Sequence, residues 1–207
     1  VTAVPESYPP AVAIEVHSNQ NSAAFLEEWE EYARANNYLR GQAFFADGEL
    51  IEPTESHTWD VIVLSDAAKR TIQTHVTGFF RDSARLKSLG VKARRGLILA
   101  GPPGTGKTLL GKVLANTLDA SFVWVTPRHI REPESFEDIL SVARFVSPTV
   151  VFLEDLDLFG EERGRTTSMS LGELMNQLDG ASENNEIVAI ATTNRLDVVE
   201  DALRNRP

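Results

Sequence analysis

The residues Gly101-Pro102-Pro103-Gly104-Thr105-Gly106-Lys107-Thr108 satisfy every fixed position of the phosphate-loop pattern G-x-x-x-x-G-K-[ST]. The residue types suit the chemistry. Glycines let consecutive backbone N–H groups turn inward onto phosphate oxygens, and a helix starting at the loop adds its partial positive charge. Lys107 then reaches the β- and γ-phosphates, and the Thr108 hydroxyl is a ligand for Mg²⁺. With glycine near 7% of residues, a chance match in a chain this long is roughly a one-in-a-hundred event. Together with Leu109, which follows it, the loop forms the candidate set for binding a nucleoside triphosphate.

Such a loop works only between a strand and a helix, and the flanking sequence supplies both. Gly96-Leu97-Ile98-Leu99-Ala100 is a short apolar run that reads as a buried parallel strand, and 108–115 has the apolar spacing of a helix. Further along, strands are expected at 121–125, 149–153 and 187–191, with helices over 137–145 and 170–178, the latter stopped by Gly180. Strands alternating with helices imply a parallel sheet covered on both faces. Ligands of such sheets sit at the carboxyl ends of the strands. Glu154-Asp155 and Asn194 fall at two such ends, so they can converge with the loop on one nucleotide. A purely structural role for the two acids, solvating a strand end, stays open on spacing alone.

Ahead of this region the signals are weaker. Residues 1–10 hold three prolines and read as an extended lead-in, and 11–16 as a strand. From Ser22 a helix is expected with Phe25, Leu26, Trp29, Tyr32 and Ala33 on one face, ending at Asn36-Asn37. A hairpin is expected from 42–45 and 49–51, turning at Asp47-Gly48. After a polar linker over 53–58, a helix carries Ile72, Val76, Phe79 and Phe80 on one face. These signals divide the chain into an acidic α+β front region, 1–56, and an α/β domain, 57–207.

Composition limits the partners. The formal net charge is −10, and residues 1–60 hold eleven acidic residues against two basic ones. That balance repels phosphate backbones and argues against nucleic acid as the main partner. No apolar run reaches the length needed to cross a membrane. The absence of cysteine excludes disulfides and suits a reducing compartment, so a cytoplasmic location is expected. The four histidines lie far apart, without metal-ligand spacing.

From about Trp59 to Pro207 the sequence resembles the AAA family of ATPases. Gly101 to Thr108 matches that family's Walker A motif in its GPPGTGKT form, and 150–157 sits where Walker B falls. Ala191-Thr192-Thr193-Asn194-Arg195 resembles the sensor 1 segment, and 201–206 the start of the segment carrying the arginine fingers. Trp59-Asp60-Val61 resembles the stretch whose backbone lies against adenine, which places Asp60 and Val61 among the nucleotide-binding residues. The resemblance implies the large α/β subdomain of a P-loop ATPase without its helical lid. It also implies Mg²⁺-ATP hydrolysis at the subunit interfaces of a homo-oligomeric ring, expected to be a hexamer, that remodels a protein client. Asn194 is then the γ-phosphate sensor, and Arg206 acts on the neighbouring subunit's ATP.

Three departures from the family pattern shape the expectations. The acids are Glu154-Asp155 where the usual order is Asp-Glu, a reversal shared with the AAA chaperones that assemble mitochondrial complex III. By position Glu154 assists Mg²⁺ and Asp155 orients the attacking water, although an Asp is about 1–1.5 Å shorter in reach. The stretch after the second strand, 127–136, lacks the aromatic-apolar-Gly tripeptide that grips polypeptide in many members. The second arginine finger, last strand and lid of the family pattern would lie beyond Pro207, so a longer natural protein is expected. The first two departures leave a rival reading: an ATP-dependent assembly switch or scaffold with weak hydrolysis and no threading.

Overall fold

The computed structural model describes residues 2–3, 12–13, 22–90, 94–130, 133–160, 186–197 and 199. In chain order the elements are β1 (Thr2–Ala3), β2 (Val12–Ala13), α1 (Ser22–Ala35), β3 (Ala43–Phe45), α2 (Asp66–His75), α3 (Thr77–Ser88), β4 (Arg94–Ala100), α4 (Lys107–Thr117), β5 (Ser121–Val125), α5 (Pro133–Phe145), β6 (Thr149–Leu153) and β7 (Ile187–Thr193). The helix expected over 170–178 lies outside the described residues. Among the described residues, no helix is long and apolar enough to cross a membrane.

The main sheet has five strands in the order β3-β5-β6-β7-β4, and all neighbours run parallel. Strand residues alternate between two cores, as the two-residue side-chain period requires. Phe122, Trp124, Val150, Phe152, Val188 and Ile190 face one core, with Leu110, Val113 and Leu114 of α4 and Ile72, Val76 and Phe79 of the α2–α3 region. Val123, Val125, Val151 and Leu153 face the other, with Phe136, Ile139, Leu140 and Ala143 of α5. Burial on both faces explains why these strands read as continuous apolar runs.

Two elements depart from the sequence expectation. Residues 43–45 do form the expected hairpin with 49–51: the Gly48 N–H donates to Phe45 O (2.8 Å), the Phe45 N–H to Glu49 O (2.8 Å) and the Ile51 N–H to Ala43 O (2.8 Å), around an antiparallel bridge between Phe44 and Leu50. The departure is on the other edge, where β3 also pairs in parallel with β5, placing Phe44 in the core. Part of the front region is therefore built into the main sheet, across the expected boundary at 56/57. The apolar run over 72–80 also divides at Val76 into α2 and α3. The apolar face of α1 leaves Phe25, Leu26, Trp29 and Tyr32 exposed.

α4 lies close on the sheet because of one glycine. A Cβ added at Gly111 would meet Phe152 Cζ at 2.6 Å, Phe152 Cε1 at 2.8 Å and Trp124 Cη2 at 2.9 Å. Alanine favours a helix interior over glycine by about 1 kcal/mol, but overpacking a core costs about 1–3 kcal/mol. Gly111→Ala is therefore expected to lower unfolding stability by about 1 kcal/mol in urea titration. An equal or higher midpoint would contradict this packing.

Candidate active site

The sheet order sets β6, β7 and β4 side by side, so their carboxyl ends form one ledge. The phosphate loop leaves β4, the acids follow β6 and Asn194 follows β7. A bond from Gly101 N–H to Thr193 O (3.2 Å) ties the loop entrance to the end of β7. A cavity of ≈370 Å³ opens on this ledge, lined by Pro103, Gly104, Gly106, Lys107, Thr108, Asp155 and Asn194.

Loop geometry accounts for the residue types. Gly104 (φ 79°) and Gly106 (φ 87°) occupy the left-handed region, where a side chain would be strained. Gly106 also caps α4, whose first turn carries Lys107 and Thr108. The Lys107 ammonium donates to Gly101 O (2.6 Å), Pro102 O (2.9 Å) and Thr105 Oγ1 (3.4 Å), and Thr105 Oγ1 donates to Pro102 O (2.8 Å). Leu109 is half-buried against the α4 side of the sheet. Lys107→Ala removes the ammonium held at the loop while leaving the core intact. It is expected to weaken ATP binding at least about tenfold, the scale of one charge-assisted contact. Calorimetry checks this, with unchanged circular dichroism showing that the fold survives.

The two acids face different partners. Glu154 Oε1 accepts from Thr108 Oγ1 (2.5 Å), and Oε2 accepts from Trp124 Nε1 (2.9 Å). Asp155 has a left-handed backbone (φ 54°), and its N–H donates to Thr192 Oγ1 (2.9 Å). Aspartate is among the few side chains that tolerate this region. The turn sets Asp155 Oδ1 within reach of Asn194 Nδ2 (3.3 Å). Burial pushes the Asp155 carboxyl above its ordinary range, and the Glu154 and Asp157 charges add to that rise. The Lys107 ammonium and the Asn194 bond oppose it.

The donor set fits Mg²⁺, a hard cation that prefers oxygen ligands and keeps several waters. Thr108 and Glu154 present a hydroxyl and a carboxylate oxygen in direct contact at the phosphate side of the ledge. When bound there, the ion supplies charge neutralisation for the phosphate oxygens.

Two further side chains shape the site. Asp157 is buried and accepts from Thr193 Oγ1 (2.7 Å) and Asn194 N–H (3.0 Å), so it fixes the end of β7. Trp124 was legible only as an apolar strand residue, yet its indole N–H holds Glu154. A tryptophan in a buried strand does signal that its N–H needs an acceptor. Asp60 and Val61 lie in a short 3-10 turn, both exposed, and neither lines the phosphate cavity. Arg206 lies outside the described residues.

The parallel sheet, the glycine loop and the acids at the strand ends define a P-loop nucleotide-hydrolysing domain. A family model described as "ATPase family associated with various cellular activities (AAA)" matches residues 97–207, and the chain belongs to that family. It is an ATPase domain that uses ATP with Mg²⁺. The chain is similar to the ATP-dependent zinc metalloprotease FtsH 2 of Salinibacter ruber, 32% identical over 79% of this chain and 26% of that protein. It is 34% identical to Protein CdcH of Halobacterium salinarum, over 75% of this chain and 22% of that protein. The mitochondrial inner membrane m-AAA protease component YTA10 of Saccharomyces cerevisiae is 33% identical over 67% of this chain and 20% of its own length. The chain thus spans only a fifth to a quarter of these relatives.

Proposed function

We propose that this ATPase domain works within a homo-oligomeric ring, a hexamer, whose hydrolysis of ATP remodels a protein client in the cytoplasm. The observation that carries the reading is the convergence of Lys107, Thr108, Asp155 and Asn194 on one cavity, with Glu154 bonded to Thr108. In this reading Lys107 holds the β- and γ-phosphates. Thr108 and Glu154 hold Mg²⁺, Asp155 orients the attacking water, and Asn194 senses the γ-phosphate through its bond to Asp155. Arg206 completes the site of the neighbouring subunit.

The test is the dependence of turnover on protein concentration. Shared sites predict that specific activity per subunit rises with concentration, alongside an ATP-dependent increase in mass by light scattering. Constant specific activity from a monomer that stays monomeric with ATP would contradict the ring.

One observation favours the rival, an ATP-dependent assembly switch with weak hydrolysis and no threading. The segment after β5 folds as a short turn at Pro127–His129, tied down by the Thr126 N–H donating to His129 Nδ1 (3.0 Å). Its Arg128 guanidinium lies over the Phe45 ring (5.7 Å). Turnover per bound nucleotide separates the two readings, because a switch binds ATP tightly and releases little phosphate.

A further inference from the structure

We propose that Trp124 is the positioning residue that makes glutamate workable at position 154, by holding one carboxylate oxygen so that the other faces Thr108. The inference rests on the reading of Glu154 as the acid on the metal side.

Glutamate brings an extra methylene and an extra rotatable bond to this position, and so more ways to point away from the metal. The structure removes that freedom at both oxygens. Oε1 meets the Thr108 hydroxyl (2.5 Å) and Oε2 meets the Trp124 indole N–H (2.9 Å). The indole itself is fixed. Trp124 is buried at the next-to-last position of β5, with Phe152 at 4.7 Å, Phe122 at 5.9 Å and Phe45 at 6.3 Å between ring centroids. Gly111 leaves room for the ring under α4, since any Cβ there would meet Trp124 Cη2 at 2.9 Å.

An aspartate at 154 ends about 1–1.5 Å sooner along the same direction, which would draw both carboxylate oxygens back from the indole N–H and the Thr108 hydroxyl. The reversed acid order and the tryptophan near the carboxyl end of β5 therefore belong together. The strand partner supplies the rigidity that the longer side chain lacks. A hydrogen bond from a buried, rigid donor to a carboxylate is among the stronger kinds, so its loss is measurable.

The test compares ADP affinity with MgCl₂ and with EDTA, by calorimetry, in the parent chain, Trp124→Phe, Glu154→Asp and the double variant. Trp124→Phe keeps an aromatic ring in the core and removes the N–H. The affinity gained from Mg²⁺ is expected to shrink about tenfold in Trp124→Phe, while affinity in EDTA changes by less than about twofold. In the Glu154→Asp background the same change should cost nothing further, because the shorter acid has already left the indole. An unchanged Mg²⁺ gain in folded Trp124→Phe, or an equal loss in both backgrounds, would overturn the proposal.

Should Trp124→Phe not fold, the parent chain with ¹⁵N-labelled tryptophan decides. The sequence holds three tryptophans, so three indole N–H signals are expected. One should shift and exchange faster with solvent in Glu154→Ala; three unmoved signals would refute the contact. A parent that binds ADP with no Mg²⁺ gain would instead refute Glu154 as the metal-side acid, which the indole signals do not depend on.

Discussion

Asp155→Asn is expected to bind ATP as the parent does while hydrolysing it 10²–10⁴-fold more slowly, on the order of the loss of a general base. The substitution keeps shape and the reach towards Asn194 Nδ2, 3.3 Å away, but removes the carboxylate's pull on the attacking water. A pH signature accompanies it. In the proposed role the ionised carboxylate is the working form, and its affinity for the proton is raised by burial and by the Glu154 and Asp157 charges. As pH falls, Asp155 therefore takes up its proton sooner than an ordinary carboxyl does. The parent's acid-side loss of turnover should sit above the ordinary carboxylate range, and Asp155→Asn should lack that limb. Hydrolysis by Asp155→Asn at the parent's rate would remove Asp155 from the mechanism. Asp157 is no substitute for it, being buried and already committed to Thr193 Oγ1 and the Asn194 N–H.

Arg206→Ala in the assembled protein is expected to spare nucleotide binding and lower hydrolysis on the order of 10³-fold, the lower range for an arginine finger. The effect should be complementable. A ring mixing Arg206→Ala with Asp155→Asn contains pairs in which an intact Asp155 site meets an intact Arg206 from the next subunit. Turnover should partly return on mixing, although each variant alone is nearly silent. No recovery from mixed rings shown to have formed would mean that sites are not shared.

The order of the two acids is readable in the sequence, but the contacts that each of them makes are not. Restoring the usual order by Glu154→Asp with Asp155→Glu puts a longer side chain on a backbone turned left-handed at φ 54° and a shorter one beneath the indole. Slower hydrolysis by the swapped pair would show a backbone adapted to the present order, and faster hydrolysis would show that Asp155 limits the rate by its short reach.

What was legible was local or periodic. The glycine loop between β4 and α4 follows from residue types within one stretch, and the parallel sheet from apolar runs buried on both faces. What was not legible was decided by packing between distant residues. The 43–45 segment carries the marks of a hairpin, and nothing local says that Phe44 fills the core beside β5, about eighty residues later. Likewise Ile72, Val76 and Phe79 share one helical face although the backbone divides at Val76. Trp124 and Asp157 became part of the site only once β5, β6 and β7 stood next to one another.

The proposed division of labour between the two acids is tested by the Mg²⁺-dependent gain in ADP affinity, compared between Glu154→Gln and Asp155→Asn. Glu154 accepts from Thr108 and Asp155 accepts from Asn194, the contacts on which the proposed metal-side and water-side roles rest. Glu154→Gln is expected to lose most of the gain while Asp155→Asn keeps it. A gain lost in Asp155→Asn and kept in Glu154→Gln would contradict it.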